Sequence, residues 1–125
     1  ESGFHVNMED SQAAMRDGSI FEYCKLHDVV IQAWSVLQFG YFKGNFVGNE
    51  KFQALNQVLD RLAIKYGVTS STIAISWILR YPAKMQAVVG TTNPKHLREV
   101  SQAANFSLTR KEWYEIYLAA GNNLP

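Results

Sequence analysis

Cysteine is nearly missing from this sequence. Cys24 is the only one among 125 residues, so no disulfide can close within the chain, and a disulfide-stapled miniprotein is excluded. Cys24 lies in a helical pattern between Tyr23 and Lys25 with no basic constellation beside it. It reads as a small apolar residue rather than an activated thiol. A single thiol fits a reducing compartment, and a cytoplasmic location is expected. Excess charge of one sign is also lacking. Lys and Arg number 12 against 11 Asp and Glu, a net charge of +1, and the basic residues are scattered, so neither a polyanion coat nor a nucleic-acid stripe is indicated.

Long apolar runs are missing too. None approaches the roughly 20 residues that cross a bilayer, so no membrane partner is expected. The first ten residues, ESGFHVNMED, carry no basic n-region and no apolar h-region and do not read as a signal peptide. They also lack an initiator Met, so the chain is expected to be processed, trimmed or cut from something longer. Three histidines, His5, His27 and His96, stand apart, and no His/Cys/Asp/Glu set has metal-ligand spacing. No Ser/His/Asp arrangement can be argued from them either. No repeat of solenoid length is visible.

What is present is ordinary globular composition, 47% hydrophobic, 18% charged and 13% aromatic, at a length that suits about one domain. Residues 1–18 have weak periodicity and read as an irregular lead-in with a short strand at Phe4–Val6. Ser19 and Glu22 have capping-box spacing ahead of Ile20, Tyr23, Cys24 and Leu26 at helical intervals, closed by His27-Asp28. The run from Val29 to Trp34 is short and rich in β-branched residues, as in a strand buried on both faces of a parallel sheet.

Residues 35–50 form a connection with Gly40, Gly44 and Gly48 among aromatics, either a functional loop or a plain surface one. The stripe Phe52, Leu55, Val58, Leu59, Leu62, Tyr66 predicts a helix over 51–66, ended by Gly67 in the left-handed region. Thr69 or Ser70 caps a second helix that stops before Pro82. Ala87-Val88-Val89 is a second expected strand, followed by Asn93 as N-cap and Pro94 as first residue of a helix with Leu97, Val100, Ala103 and Ala104 as its apolar face. Thr109 and Glu112 form another capping box, and Gly121 ends the last helix. Two strands are too few to bury their own faces, so the pattern reads as part of a larger α/β domain.

Two segments carry candidate chemistry. At Val88–Leu97 a strand runs through Gly90 into a capped helix whose first N–H groups, with the Thr91 and Thr92 hydroxyls and nearby Lys95, His96 and Arg98, would suit a phosphate. The alternative is a junction capped for stability alone. At the end of the first strand, Trp34 offers a flat face and Ser35 a hydroxyl at the side where α/β folds bind ligands. A core tryptophan with a capping serine is the alternative.

The stretches DGSIFEYCKLHDVVIQAWSVLQFG, LAIKYGVTSSTIAISWILRYPAKMQAVVGTTNPKHLREV and LTRKEWYEIYLAAGNNLP together resemble the C-terminal portion of the aldo-keto reductase superfamily, closest to its bacterial members with short C-terminal tails. The resemblance implies an α/β fold, the C-terminal part of a (β/α)8 TIM barrel with two short parallel strands and surrounding helices. Residues 1–125 would make up one partial barrel, with 1–18 as lead-in and 19–125 as the last helix and strand units. It implies an NADP(H) cofactor, with NAD(H) as the alternative, and reduction of a small-molecule carbonyl to an alcohol.

On that pattern Trp34 stacks on the nicotinamide, Ser35 and Leu37 lie along the pyrophosphate, and Gly90, Thr91, Thr92, His96 and Glu99 surround the adenosine end. The family's catalytic Asp, Tyr, Lys and His would lie outside this chain, leaving it with no catalytic residue and no metal, inactive alone. Val36 stands in place of the motif's proline, Gly90 where many members carry lysine, and His96 where many carry arginine. The competing expectation is a non-catalytic α/β module that self-associates or binds nucleotides.

Overall fold

The computed structural model describes residues 19–40 and 43–124. The expected lead-in and the strand at Phe4–Val6 lie outside them. Helix α1 (Ser19–Leu26) leads into strand β1 (Ile31–Ala33). A connection then runs to a short 3-10 turn (Glu50–Phe52) and helix α2 (Gln53–Tyr66), followed by α3 (Ser70–Leu79), strand β2 (Met85–Ala87), α4 (Pro94–Ser101), a second 3-10 turn (Gln102–Ala104) and α5 (Arg110–Ala119). The helix begins at Ser19, and the residue ahead of it, where a cap would sit, lies outside the described residues.

Local signals explain most helix ends. Gly67 takes φ 65° after α2, a geometry that costs other residues about 1 kcal/mol. Its amide and that of Val68 then close on Ile64 O and Ala63 O. Thr69 caps α3 by accepting from the Thr72 amide. Asn93 caps α4 through the Lys95 amide, with Pro94 first in the helix. At α5 both halves of the capping box form between Thr109 and Glu112, which satisfies two otherwise orphaned donors.

The core lies among the helices. Leu55, Leu59, Leu62 and Ala63 of α2 meet Ile73 and Ala74 of α3, Leu108, and Ile116 of α5. Helix α3 is buried without interruption from Thr72 to Ser76, which explains why its apolar residues do not keep to one face.

The two strands pair in parallel, with Ile31 opposite Met85 and Ala33 opposite Ala87. Two expectations change here. The second strand is Met85–Ala87, not Ala87–Val89, because the register is set by β1. Only Val88 continues the pairing, donating its amide to Ala33 O at 2.8 Å, since the chain after Ala33 bends away. The strands are also not buried on both faces. Ile31 is buried, but Val29, Val30, Trp34 and Val88 are exposed, because no third strand flanks the pair among the described residues. Leu97 and Ala104 likewise stay exposed on α4 and its 3-10 extension.

Candidate functional site

Parallel strands finish at the same edge, and the bond from Val88 N to Ala33 O ties the two exits together. Trp34 therefore leaves β1 at the level where Val88 leaves β2, and Gly90 and Thr91 follow within three residues. The structure brings the two candidate segments to one rim.

On the first segment, Trp34 is 61% exposed, so its indole is available rather than buried in a core. Ser35 sits at φ 52° and opens a tight turn in which Gln38 N donates to Ser35 O at 2.9 Å. A proline at position 36 would push the residue before it toward extended geometry. Val36 leaves Ser35 free to enter the left-handed region. Leu37 is half-buried and packs against the helical core, as do Phe46 and Val47.

The connection after Ser35 is ordered by its own hydrogen bonds. Phe46 N donates to Leu37 O at 3.0 Å and Phe39 N to Gly44 O at 3.1 Å, around an antiparallel bridge between Gln38 and Asn45. A hairpin-like fold of this kind has no alternating signature in the sequence. The side chain that holds its far end, Asn56, was not among the expected site residues. Its partners lie four to ten positions upstream, and three of the four lie beyond the reach of a helical pattern.

On the second segment, six residues, 88–93, separate β2 from α4, so the strand does not run directly into the helix. A Cβ built on Gly90 would meet nothing within 4 Å, which leaves the backbone there open to approach. Thr91 Oγ1 accepts from Asn93 N at 3.2 Å and keeps its hydrogen to donate. The anion-binding mouth of α4 is narrower than the sequence suggests. Pro94 has no N–H, and the Lys95 amide is taken by Asn93 Oδ1 at 2.9 Å. Among the described residues no protein acceptor faces the His96 amide. Thr92 and His96 are exposed. Glu99 is half-buried, with its carboxylate 3.9 Å from Lys95 Nζ.

A buried carboxylate lies elsewhere, between α2 and α5. Glu112 accepts from Lys65 Nζ at 2.6 Å, Tyr66 OH at 2.8 Å, and the Thr109 amide and hydroxyl, each at 2.8 Å. Burial pushes its pKa up, but the bonds from Lys65, Thr109 and Tyr66 outweigh this and hold it down at about 2. The Tyr66 phenol is raised by burial and by the hydrogen bond it gives Glu112. A group that must release its proton near neutral pH needs the opposite shift, so the cluster is a structural tie.

A shallow concavity of about 230 Å³, lined by residues including Cys24, Asp28, Pro82 and Lys84, lies where the chain enters the strands, away from the rim. Among the described residues no group of three His, Cys, Asp or Glu could hold a metal, and no single helix is long and apolar enough to cross a membrane.

A model of the aldo/keto reductase family matches residues 8–119. A 6-dehydroglucose reductase of Agrobacterium fabrum is 35% identical over 89 residues, covering 70% of this chain and 28% of the relative. A 6-dehydroglucose reductase of Novosphingobium aromaticivorans is 30% identical over 94 residues, covering 74% and 30%. The chain thus spans less than a third of the length of these curated relatives. Among solved structures, 85% of the chain superposes on 34% of a thermostable aldo-keto reductase, with a TM-score of 0.61 and 26% identity. The same share superposes on 36% of an aldo-keto reductase from a deep-sea metagenome, with a TM-score of 0.59 and 17% identity, a likeness of fold. The two parallel strands and five helices are the matching portion of that TIM-barrel architecture, and the chain belongs to the aldo/keto reductase family.

Proposed function

We propose that this chain supplies the cofactor cradle of an NAD(P)H-dependent reductase that converts small carbonyl compounds to alcohols. The observation that carries the proposal is the shared rim. The Ala33–Ala87 register and the Val88-to-Ala33 bond bring both strands out at one edge, from which Trp34–Leu37 and Gly90–Glu99 continue. The residues present suit a dinucleotide. An exposed indole offers a stacking face, an unobstructed glycine admits close approach, and the mouth of α4 carries a free amide with Lys95, His96 and Arg98 nearby.

In this reading Trp34 takes the nicotinamide ring, and Ser35 and Leu37 line the pyrophosphate. Gly90, Thr91, Thr92, His96 and Glu99 enclose the adenosine end. The bound cofactor supplies the hydride. The proton donor comes from outside this chain, which is silent alone. The names of the relatives favour an oxidised sugar or a similar polar carbonyl as substrate.

Titration with NADPH while following tryptophan emission tests the cradle, with Trp34→Phe as control because Trp77 and Trp113 also emit. Saturable quenching that the substitution abolishes is expected. No quenching at millimolar NADPH would remove the cofactor reading.

A second reading rests on a different observation. Val29, Val30, Trp34, Val88 and, on α1, Tyr23 and Leu26 are exposed around a strand pair that no third strand flanks among the described residues, a surface that promotes self-association. Light scattering separates the two readings. A concentration-dependent rise in mass favours the second, and a compact monomer at all concentrations counts against it.

A further inference from the structure

We propose that Asn56 is a positioning residue for the pyrophosphate side of the cradle, an inference that rests on the cofactor reading above. Asn56 lies on α2, away from the rim, and is 8% exposed. A buried carboxamide must find partners for both ends, and all of these partners lie on the chain that comes back from the rim or at the helix entry. Its Nδ2 donates to Phe46 O at 2.9 Å, Asn49 O at 3.1 Å and Phe52 O at 3.1 Å. Its Oδ1 accepts from Gly48 N at 2.8 Å. The opposite orientation would set an oxygen against three carbonyl oxygens, so this network admits one arrangement.

The hold reaches the candidate cofactor residues in two steps. Asn56 fixes the Phe46 carbonyl, and the Phe46 amide in turn holds Leu37 O at 3.0 Å. Leu37 lies inside the turn that Ser35 opens and Gln38 closes. The Gln38–Asn45 bridge adds a second tie, and Asn45 Oδ1 accepts from Val47 N at 2.8 Å. Without the carboxamide the Gly48 amide loses its side-chain acceptor, and the Phe46 and Asn49 carbonyls keep only the Asn49 and Phe52 amides, at 3.2 Å and 3.0 Å, so the returning chain that sets Leu37 is held less firmly. Group placement on the ångström scale decides how well a rigid ligand is met. The α4 side of the cradle is held separately, by Thr72 Oγ1 donating to Glu99 O at 3.0 Å, and does not depend on Asn56.

This separation gives the test. On the intact protein, dissociation constants are measured for NADPH, which spans both sides, and for adenosine 2′-monophosphate, which carries no pyrophosphate and reaches only the α4 side. Asn56→Asp keeps an acceptor for Gly48 and loses the three donations. It is expected to weaken NADPH roughly tenfold or more and to leave adenosine 2′-monophosphate within about twofold, as expected for distant sites with no shared partner. Equal weakening of both, or of neither, overturns the assignment. If the unaltered protein binds neither probe, the cofactor reading itself has failed and the role of Asn56 goes with it, an outcome visible before any variant is made.

Should Asn56→Asp not fold, hydrogen exchange on the unaltered protein decides. Saturating NADPH is expected to slow exchange at the Phe46 and Gly48 amides. Unchanged exchange there, while the cofactor is bound, overturns the proposal.

Discussion

Trp77 and Trp113 clasp each other across α3 and α5. Each indole N–H donates to the other residue's main-chain carbonyl at 3.0 Å, and the rings stack with centroids 4.7 Å apart and 8° from parallel. Tyr117 continues the stack, 5.7 Å from Trp113 and 11° from parallel. Each indole therefore satisfies its polar edge with backbone while its face adds apolar contact, and α5 is locked to α3 in one register.

This clasp should add to the docking of α5, which also packs on α2 through Ile116 and Glu112. Trp113→Phe keeps most of the ring but removes one donor and leaves the Trp77 carbonyl without its partner. The expected loss is about 2 kcal/mol, from one hydrogen bond, one carbonyl left unpartnered and weaker stacking. Trp77→Phe should cost a similar amount, and the double variant less than the sum because the two bonds belong to one unit. Urea midpoints of the four proteins check this. Strict additivity would mean that the two indoles act independently.

The Glu112 tie predicts an acid-sensitive stability. Its pKa is held at about 2 in the fold against an ordinary 4.5. A depressed carboxyl stabilises the fold fully above the unfolded value and loses that contribution as pH falls toward the folded one. Stability should be level from pH 7 to about 5 and should fall between 4.5 and 2, by up to about 3 kcal/mol from this group. Glu112→Gln should be less stable at pH 7 and should flatten the decline. Denaturant titrations at pH 7, 5 and 3 measure both effects. An unchanged slope in the variant would place the acid sensitivity elsewhere.

Gly67 isolates backbone strain from packing. A Cβ there would meet nothing within 4 Å, yet φ is 65°. Gly67→Ala should therefore destabilise by about 1 kcal/mol through the left-handed geometry alone. Asn, which tolerates that region better, should cost less. Thermal midpoints of the two variants give the comparison, and equal losses would point to a lost contact rather than to strain.

The legible parts of this molecule are those whose cause lies within four residues. Gly67, Thr69, Asn93-Pro94 and Thr109 with Glu112 each end or start a helix through bonds to immediate neighbours, and each is written in the order of residue types. The second strand lies two residues before the position that the β propensity of Val88-Val89 favours, because pairing follows the register against Ile31–Ala33, more than fifty positions away.

The site shows the same divide. Trp34, Ser35, Gly90 and Thr91 stand out by residue type and by their place at strand ends. Asn56 reads in the sequence as an unremarked position in an amphipathic helix, and only the folded connection supplies Phe46, Gly48 and Asn49 as its partners beyond Phe52 at the helix entry. Glu112 was visible as half of a capping box, while its bonds to Lys65 and Tyr66 depend on how α2 meets α5.

The last prediction concerns cofactor choice and turns on His96. NADPH differs from NADH by one phosphate at the adenosine end, so discrimination comes from charge placed there. A guanidinium is always charged and binds a phosphate with two parallel hydrogen bonds, a geometry that an imidazole cannot offer. His96 is exposed at the third position of α4, with room for a longer side chain and Lys95 already adjacent. His96→Arg should tighten NADPH about tenfold, the yield of roughly 1.4 kcal/mol from a charge-assisted pair, and should leave NADH nearly unchanged.

The ratio of the two dissociation constants is the quantity to measure, at low and at moderate salt. The gain should shrink as screening rises. If both cofactors tighten equally, the residue faces the shared pyrophosphate rather than the 2′-phosphate, and the adenosine end must be reassigned along α4. If neither moves, the mouth of this helix is not where the dinucleotide ends, and Thr91, Thr92 and Glu99 lose their place in the cradle with it.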